Sequence, residues 1–110
     1  MDIFDSQEWE QATKRLFDEY SYFLDESAIQ ISYKFDIVGP PGNEWDLYQI
    51  FIEGCDSGDR AVLISVKDGG NGQNVNVDFS ELAQELANYI ADSQGGSIEE
   101  EDDESWTITF

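Results

Sequence analysis

One segment of the chain, residues 29–37, alternates apolar and polar side chains without interruption. Because successive side chains of a β-strand point to opposite faces, this period of two predicts a strand with one face in a core and the other in solvent. Residues 45–53 and 60–67 have the composition of two further strands, and turn-forming sequences at 39–43 and 55–59 separate the three. We therefore predict three consecutive antiparallel strands, the second of which is central because it is apolar on both faces.

Two other segments repeat apolar side chains every three or four residues, as amphipathic helices do. They cover residues 6–26 and about 80–92. Each begins near a pair of residues with the three-residue spacing of a capping box, Asp5 with Glu8 and Asp78 with Glu81. The chain therefore places one helix before the three strands and one after them.

The order of segments predicts an α+β fold, α-β-β-β-α-β, in a single domain over residues 1–110. Its antiparallel sheet would have about four strands, with two helices on one face. The last strand is expected at residues 105–110, and Val75 and Val77 suggest a short extra one. The inward side chains of the third strand would be Val62, Ile64 and Val66. The large side chains expected to share one core are Trp9, Leu16, Phe35, Phe51, Ile64, Leu86 and Trp106.

The chain is extremely acidic, with 25 Asp and Glu against 5 Lys and Arg and a formal net charge of −20. Small soluble domains need a net charge of only about 2–8 in magnitude, and a larger one destabilises the fold by self-repulsion. A field of this size is typical of a protein that binds a strongly basic partner. The commonest basic surfaces are those that hold nucleic acid, so we expect a nucleic-acid-binding protein as partner and no direct binding of nucleic acid or membrane.

Several kinds of chemistry are not expected. The chain has no histidine, which removes the commonest general base and metal ligand. The acids around Cys55 make its thiol a poor nucleophile. The segment that starts at Asp68 fails the calcium-loop pattern, and the glycines after it lack the ending of a phosphate loop. We therefore expect no enzyme activity, no metal site and no cofactor.

The compartment expected from the sequence is the cytoplasm. The first residues lack the basic and apolar regions of a signal peptide, and no apolar run approaches the roughly 20 residues that span a bilayer. The single Cys55 has no partner for an intramolecular disulfide, which fits a reducing compartment.

Two groups of acids are the candidate partner-binding residues. The first is the outer stripe of the second helix, where spacings of four, three and four place Glu81, Glu85, Asn88 and Asp92 on one face, and this helix contains no Lys or Arg. The second is an unbroken acidic run that we expect to form a loop tethered between the helix and the last strand. Its residues are Glu99, Glu100, Glu101, Asp102, Asp103 and Glu104.

In its small size, extreme acidity, lack of histidine and acidic helix face, the chain resembles the DNA-mimic inhibitors of the anti-restriction, anti-CRISPR and nuclease-inhibitor type, many of them from phage. The resemblance covers the whole chain and rests on no sequence motif. It implies competition for a DNA-binding groove. Three alternatives remain. One is an immunity protein that neutralises a toxin nuclease, and another is an acidic chaperone or adaptor for a basic client, which would expose an apolar groove. The third is an acidic housekeeping domain or one adapted to high salt.

Overall fold

A five-stranded antiparallel sheet with two α-helices on one face forms the body of the protein. The structure, a computed structural model, describes residues 2–69 and 77–110. The strands follow the order β3-β2-β1-β5-β4 across the sheet. The helices are α1 (Gln7–Glu19) and α2 (Phe79–Gln94), and the strands are β1 (Ala28–Val38), β2 (Trp45–Gly54), β3 (Arg60–Asp68), β4 (Ser97–Asp102) and β5 (Ser105–Thr109). The α+β class and the antiparallel pairing are as predicted, with one strand more than expected.

The core lies between the sheet and the helices. α1 packs mainly over β3, whereas α2 packs over β5, β1 and β4. Among residues 2–69 and 77–110, no helix lies over the other face of the sheet, which we call the open face. Among the predicted core residues, Leu16, Ile64, Leu86 and Trp106 are buried there, and Trp9 packs against them.

Two predicted core residues lie elsewhere. Phe35 is 43% exposed. Its ring lies 5.1 Å from Tyr48, which in turn contacts Phe79 at the start of α2, so Phe35 lies beyond the end of the helix layer. Phe51 is buried, but it alternates with the core residues Ile50 and Ile52 and so lies on the open face. Local alternation does not reveal how far the helix layer extends.

A register irregularity in β3 changes which of its side chains face the core. Ile50 pairs with Ile64 but Phe51 pairs with Val62, so Leu63 is an extra residue in β3. This bulge allows both Leu63 and Ile64 to be buried. Val66 packs against the core as predicted. Val62 does not, because it pairs with Phe51 on the open face.

The first helix is shorter than predicted. α1 ends at Glu19, and a 3₁₀ helix, Ser21–Asp25, follows in place of the last turns of the predicted helix. The break at Tyr20 allows Phe23 to be fully buried. The predicted cap is also wrong: Ser6 is the N-cap and accepts a hydrogen bond from the Trp9 N–H at 3.1 Å, whereas Asp5 lies in a preceding 3₁₀ helix, Ile3–Asp5.

The second helix begins as predicted. Asp78 accepts hydrogen bonds from the N–H groups of Ser80 and Glu81 at 2.9 and 3.3 Å. Gly95, at φ 70°, ends the helix in the left-handed conformation that glycine adopts without strain. Of the suggested extra strand, Val75 lies outside the described residues, and Val77 is not in a strand.

The first four acids of the run, residues 99–102, lie in a strand and the last two form a turn, so the predicted loop is wrong. Residues 97–102 form β4 at the edge of the sheet, paired with β5. Ile98 pairs with Ile108, which is fully buried, and this apolar pair fixes the register. Asp102 accepts hydrogen bonds from the Glu104 N–H at 2.8 Å and the Ser105 hydroxyl at 3.0 Å, which closes the turn to β5. At an edge, the carboxylates of both strand faces stay in water.

Candidate functional site

The acidic stripe of α2 faces solvent. Glu81 and Asp92 are exposed, and Glu85 and Asn88 are half-buried. The opposite side of the helix is buried through Leu82, Leu86 and Ile90. The stripe is therefore held in place by the packing of the helix, and it presents three carboxylates without an intervening base, as predicted.

The six acids of residues 99–104 are all exposed, but they do not point in one direction. Glu100 pairs with Trp106, whose side chain is in the core, so Glu100 lies on the helix side of the sheet. Glu99 pairs with Thr107 and lies on the open face. Asp103 and Glu104 form the turn. The acidic hairpin thus has negative charge on both faces of one sheet edge.

The stripe and the hairpin form two separate acidic surfaces. The Tyr89 ring lies 5.4 Å from Trp9 and 6.0 Å from Phe17, so this side of α2 faces α1. Glu85 precedes Tyr89 by four residues and shares that side. Because α1 packs over β3 and β4 is at the opposite edge of the sheet, Glu85 faces away from the hairpin.

An aromatic row, which sequence reasoning missed, runs along the seam between the two helices. It consists of Phe4, Trp9, Tyr89 and Phe17, and the ring centroids of its successive members are 4.8, 5.4 and 6.0 Å apart. Phe4, Phe17 and Tyr89 are 51%, 37% and 41% exposed. The sequence does contain a signal for Phe17 and Tyr89. Each is adjacent in sequence to a fully buried residue, Leu16 or Ile90, and therefore lies at the border of the apolar stripe of its helix. Nothing in the sequence singles out Phe4.

The open face carries a patch of different character, which we call the sheet-face patch. The Arg60 guanidinium lies 3.9 Å above the Phe51 ring, and the Lys67 ammonium lies 5.7 Å from the Trp45 ring. Lys34 forms an ion pair with Asp36 at 3.6 Å on the same face. The patch consists of Lys34, Asp36, Trp45, Leu47, Phe51, Glu53, Arg60, Val62 and Lys67.

Two acids near the β2–β3 turn, Glu26 and Asp56, stabilise the turn by accepting hydrogen bonds. Glu26 accepts hydrogen bonds from the N–H groups of Asp56 and Ser57 at 3.0 and 2.9 Å and from the Ser57 hydroxyl at 2.9 Å. Asp56 accepts from the Ser27 hydroxyl at 2.7 Å and from the Ser27 N–H at 2.8 Å. These bonds from Ser27 lower the pKa of Asp56. The two carboxylates join the end of the second 3₁₀ helix to the turn.

Cys55, in the same turn, is exposed but poorly suited to nucleophilic chemistry. Partial burial, followed by the negative charges of Glu26 and Asp56, raises the pKa of its thiol. A thiol with a raised pKa holds less of the reactive thiolate near neutral pH. Within residues 2–69 and 77–110, no three His, Cys, Asp or Glu side chains are grouped so that they could hold a metal ion.

A groove of about 330 Å³ lies between α1 and β3. Its polar wall includes Lys14 and Arg15, and its floor is Leu63 and Ile64. Arg15 is already paired with Glu19 at 3.0 Å. Most of the side chains that line the groove are polar or charged, in contrast to the apolar groove expected of a chaperone or adaptor.

In the part of the chain that the structure describes, no helix is long and apolar enough to cross a membrane. Comparisons with protein-family models, with curated protein sequences and with solved structures found no match. The evidence for the function of the protein therefore comes from its own surfaces.

Proposed function

We propose that the protein is a cytoplasmic, non-enzymatic inhibitor that acts as a DNA mimic. It occupies the basic groove in which a nuclease, restriction enzyme, CRISPR effector or nucleoid protein holds nucleic acid. The observation that carries the proposal is the outer stripe of α2, where Glu81, Glu85 and Asp92 face solvent in a helix without a single Lys or Arg. Carboxylates on a packed helix need little reorganisation on binding. In this respect they resemble the phosphates of a DNA duplex, which are also held in place before binding.

The aromatic row supplies an apolar anchor beside these charges. Tyr89 lies one helical turn from Glu85, and aromatic side chains are enriched among the residues that contribute most to binding. Charge then steers association and selects a basic partner, while the rings contribute contact area. The acidic hairpin of residues 99–104 is a second surface, which contacts a partner that extends around the sheet edge.

The immunity-protein alternative uses the same surfaces against a toxin nuclease, and the identity of the captured partner decides between the two. The chaperone or adaptor alternative receives less support, because the groove between α1 and β3 is lined largely by polar side chains.

Neutralising the α2 stripe tests the proposal. In the variant Glu81→Gln/Glu85→Gln/Asp92→Asn, we expect binding to weaken by about 3-fold to 150-fold, since exposed charge pairs contribute roughly 0.2–1 kcal/mol each. The variant should fold at least as well as the natural sequence, because like charges four residues apart destabilise a helix. The partner is first captured from lysate at low salt and identified, and its affinity for each variant is then measured in competition with labelled DNA.

The matched control is Asp25→Asn/Glu44→Gln/Asp59→Asn, which removes the same charge from exposed acids outside the stripe. The control should bind nearly as well as the natural protein. Equal affinities of the stripe variant and the control at physiological salt would refute the acidic-stripe mechanism. A stripe-dependent partner that has no nucleic-acid groove would refute the mimicry.

A further inference from the structure

We propose that two copies of the chain associate through the open faces of their sheets, around a two-fold axis parallel to the strands. This inference does not depend on the proposed function. It rests on the charge, the register and the area of the open face.

The charge of the open face favours this contact over others. Its β1–β3 part carries Lys34, Arg60 and Lys67, three of the chain's five cations, and only Asp36 and Glu53 of its 25 acids. The same molecule has a net charge of −20. Two copies that meet through their helix layers would bring many carboxylates together. The open face is close to neutral as a whole, because Glu99 and Asp102 of β4 offset the excess of cations on its β1–β3 part.

The strand register orders the charges across the open face. One row, perpendicular to the strands, runs through Arg60, Glu53, Gln30, Thr107 and Glu99, from β3 to β4. Arg60 therefore lies at one end of this row and Glu99 at the other. Gln30, on the central strand, is in the middle.

This row selects the symmetry of the dimer. A two-fold axis parallel to the strands and passing by β1 places β3 of each copy opposite β4 of the other. Arg60 of one copy then faces Glu99 of the second copy, and the pair occurs twice. The other in-plane axis, perpendicular to the strands, would place β3 over β3 and β4 over β4, so Arg60 would not meet Glu99 and the acids of the two β4 strands would face each other. The favoured axis places Lys34 and Asp36 of β1 opposite their own copies, but these two residues already pair with each other within each chain at 3.6 Å.

The area is sufficient for a modest dimer. Neighbouring strands lie about 4.8 Å apart, so the face is roughly 25 Å wide, and β4 and β5 cover the five rows of residues 28–32, about 17 Å along the strands. The overlap therefore buries about 850 Å² in total, which is typical of weak complexes, and we expect a dissociation constant on the order of tens of micromolar. In this arrangement the ring of Phe51 faces the small Ser105 of the second copy, because both belong to the next row of the register. The two acidic helix layers remain outside, on opposite sides.

A charge exchange tests the contact by analytical ultracentrifugation from about 5 to 200 μM protein. Arg60→Glu and Glu99→Arg should each weaken dimerisation at least tenfold, and the double variant Arg60→Glu/Glu99→Arg should recover most of the loss. Arg15→Glu and Glu81→Arg make the same changes in net charge on the helix layer, and they should leave the dimer nearly unchanged. A natural protein that stays monomeric throughout, or a double variant as weak as the single ones, would overturn the proposal.

A cross-linking experiment tests the axis without altering the charge pair. In Cys55→Ser/Gln30→Cys, the two new thiols lie close together beside the axis, so a short bismaleimide should link most of the dimer. The control Cys55→Ser/Glu85→Cys places the thiol on the helix layer and should give little linked product. Equal yields from the two variants would contradict the arrangement.

Discussion

Individual acids of this chain have different structural roles, which the amino-acid composition does not distinguish. Glu26 and Asp56 accept hydrogen bonds from Ser27 and from the backbone of the β2–β3 turn, whereas the α2 carboxylates face water. At the end of the helix predicted over residues 6–26, Glu26 would face the negative end of the helix dipole, which is unfavourable for an acid. The structure explains it, because its carboxylate receives three hydrogen bonds from the turn. A count of charges cannot separate these roles.

At the residue scale, we expect Ser27→Ala to raise the pKa of Asp56 toward its ordinary value, because the largest cause of the lowered pKa is the bond from the Ser27 hydroxyl. A carboxyl whose pKa is lowered by folding stabilises the fold above its unfolded pKa, and this contribution is lost as the pH falls through the folded pKa. The variant should therefore be less stable than the natural protein at pH 6, and the difference should shrink below about pH 3.9.

An NMR titration of the Asp56 carboxyl and urea denaturation at pH 6 and pH 3 measure the two effects. A titration curve unchanged by the substitution would show that the Ser27 hydroxyl does not set this pKa.

At the element scale, the strands with regular alternation were predictable and the irregular segments were not. β1, β2 and β3 begin and end within one residue of the predicted bounds. The break in the first helix depends on the burial of Phe23, a contact that no local pattern shows. β4 was missed because acidic residues have low strand propensity, and its pairing through Ile98 and Ile108 becomes visible only when both strands are known.

The close contact between Gly54, at the end of β2, and the carboxylate of Glu26 can be tested by substitution. A Cβ atom at Gly54 would overlap the Glu26 carboxylate. We therefore expect Gly54→Ala to destabilise the protein by about 1–3 kcal/mol, since it displaces Glu26 from its hydrogen bonds to the turn. In a Glu26→Ala background the same substitution should cost much less, because the obstructing group is gone.

Denaturant unfolding of the four proteins in this cycle measures the coupling. Additive effects of the two substitutions would mean that Gly54 is required for another reason.

At the scale of the whole molecule, the sequence predicted the total charge but not its distribution. The stripe on α2 followed from helical spacing, and its position is confirmed. Three features depend on which helix packs over which strand. They are the distance between the stripe and the hairpin, the aromatic row, and the sheet-face patch. Helix–strand packing consists of contacts between segments that are distant in sequence, and a local sequence pattern does not predict such contacts.

Self-repulsion at −20 should make the protein more stable as salt is added. The Debye length falls from about 10 Å at 0.1 M salt to about 3 Å at 1 M, so repulsion between exposed carboxylates is screened. We expect the melting temperature to rise by several degrees between 0.05 M and 1 M sodium chloride at about 5 μM protein. A flat or falling melting temperature would show that packing, rather than repulsion, dominates the response to salt.

The edge position of β4 has a consequence for the protein at high concentration. A flat edge strand is a template on which further chains can add, and so a route to fibres. Here the exposed edge carries Glu99, Glu100, Glu101 and Asp102, so an approaching copy of the same edge is repelled. The charge to which we assign the choice of a basic partner thereby also opposes the pairing of two chains through their β4 edges.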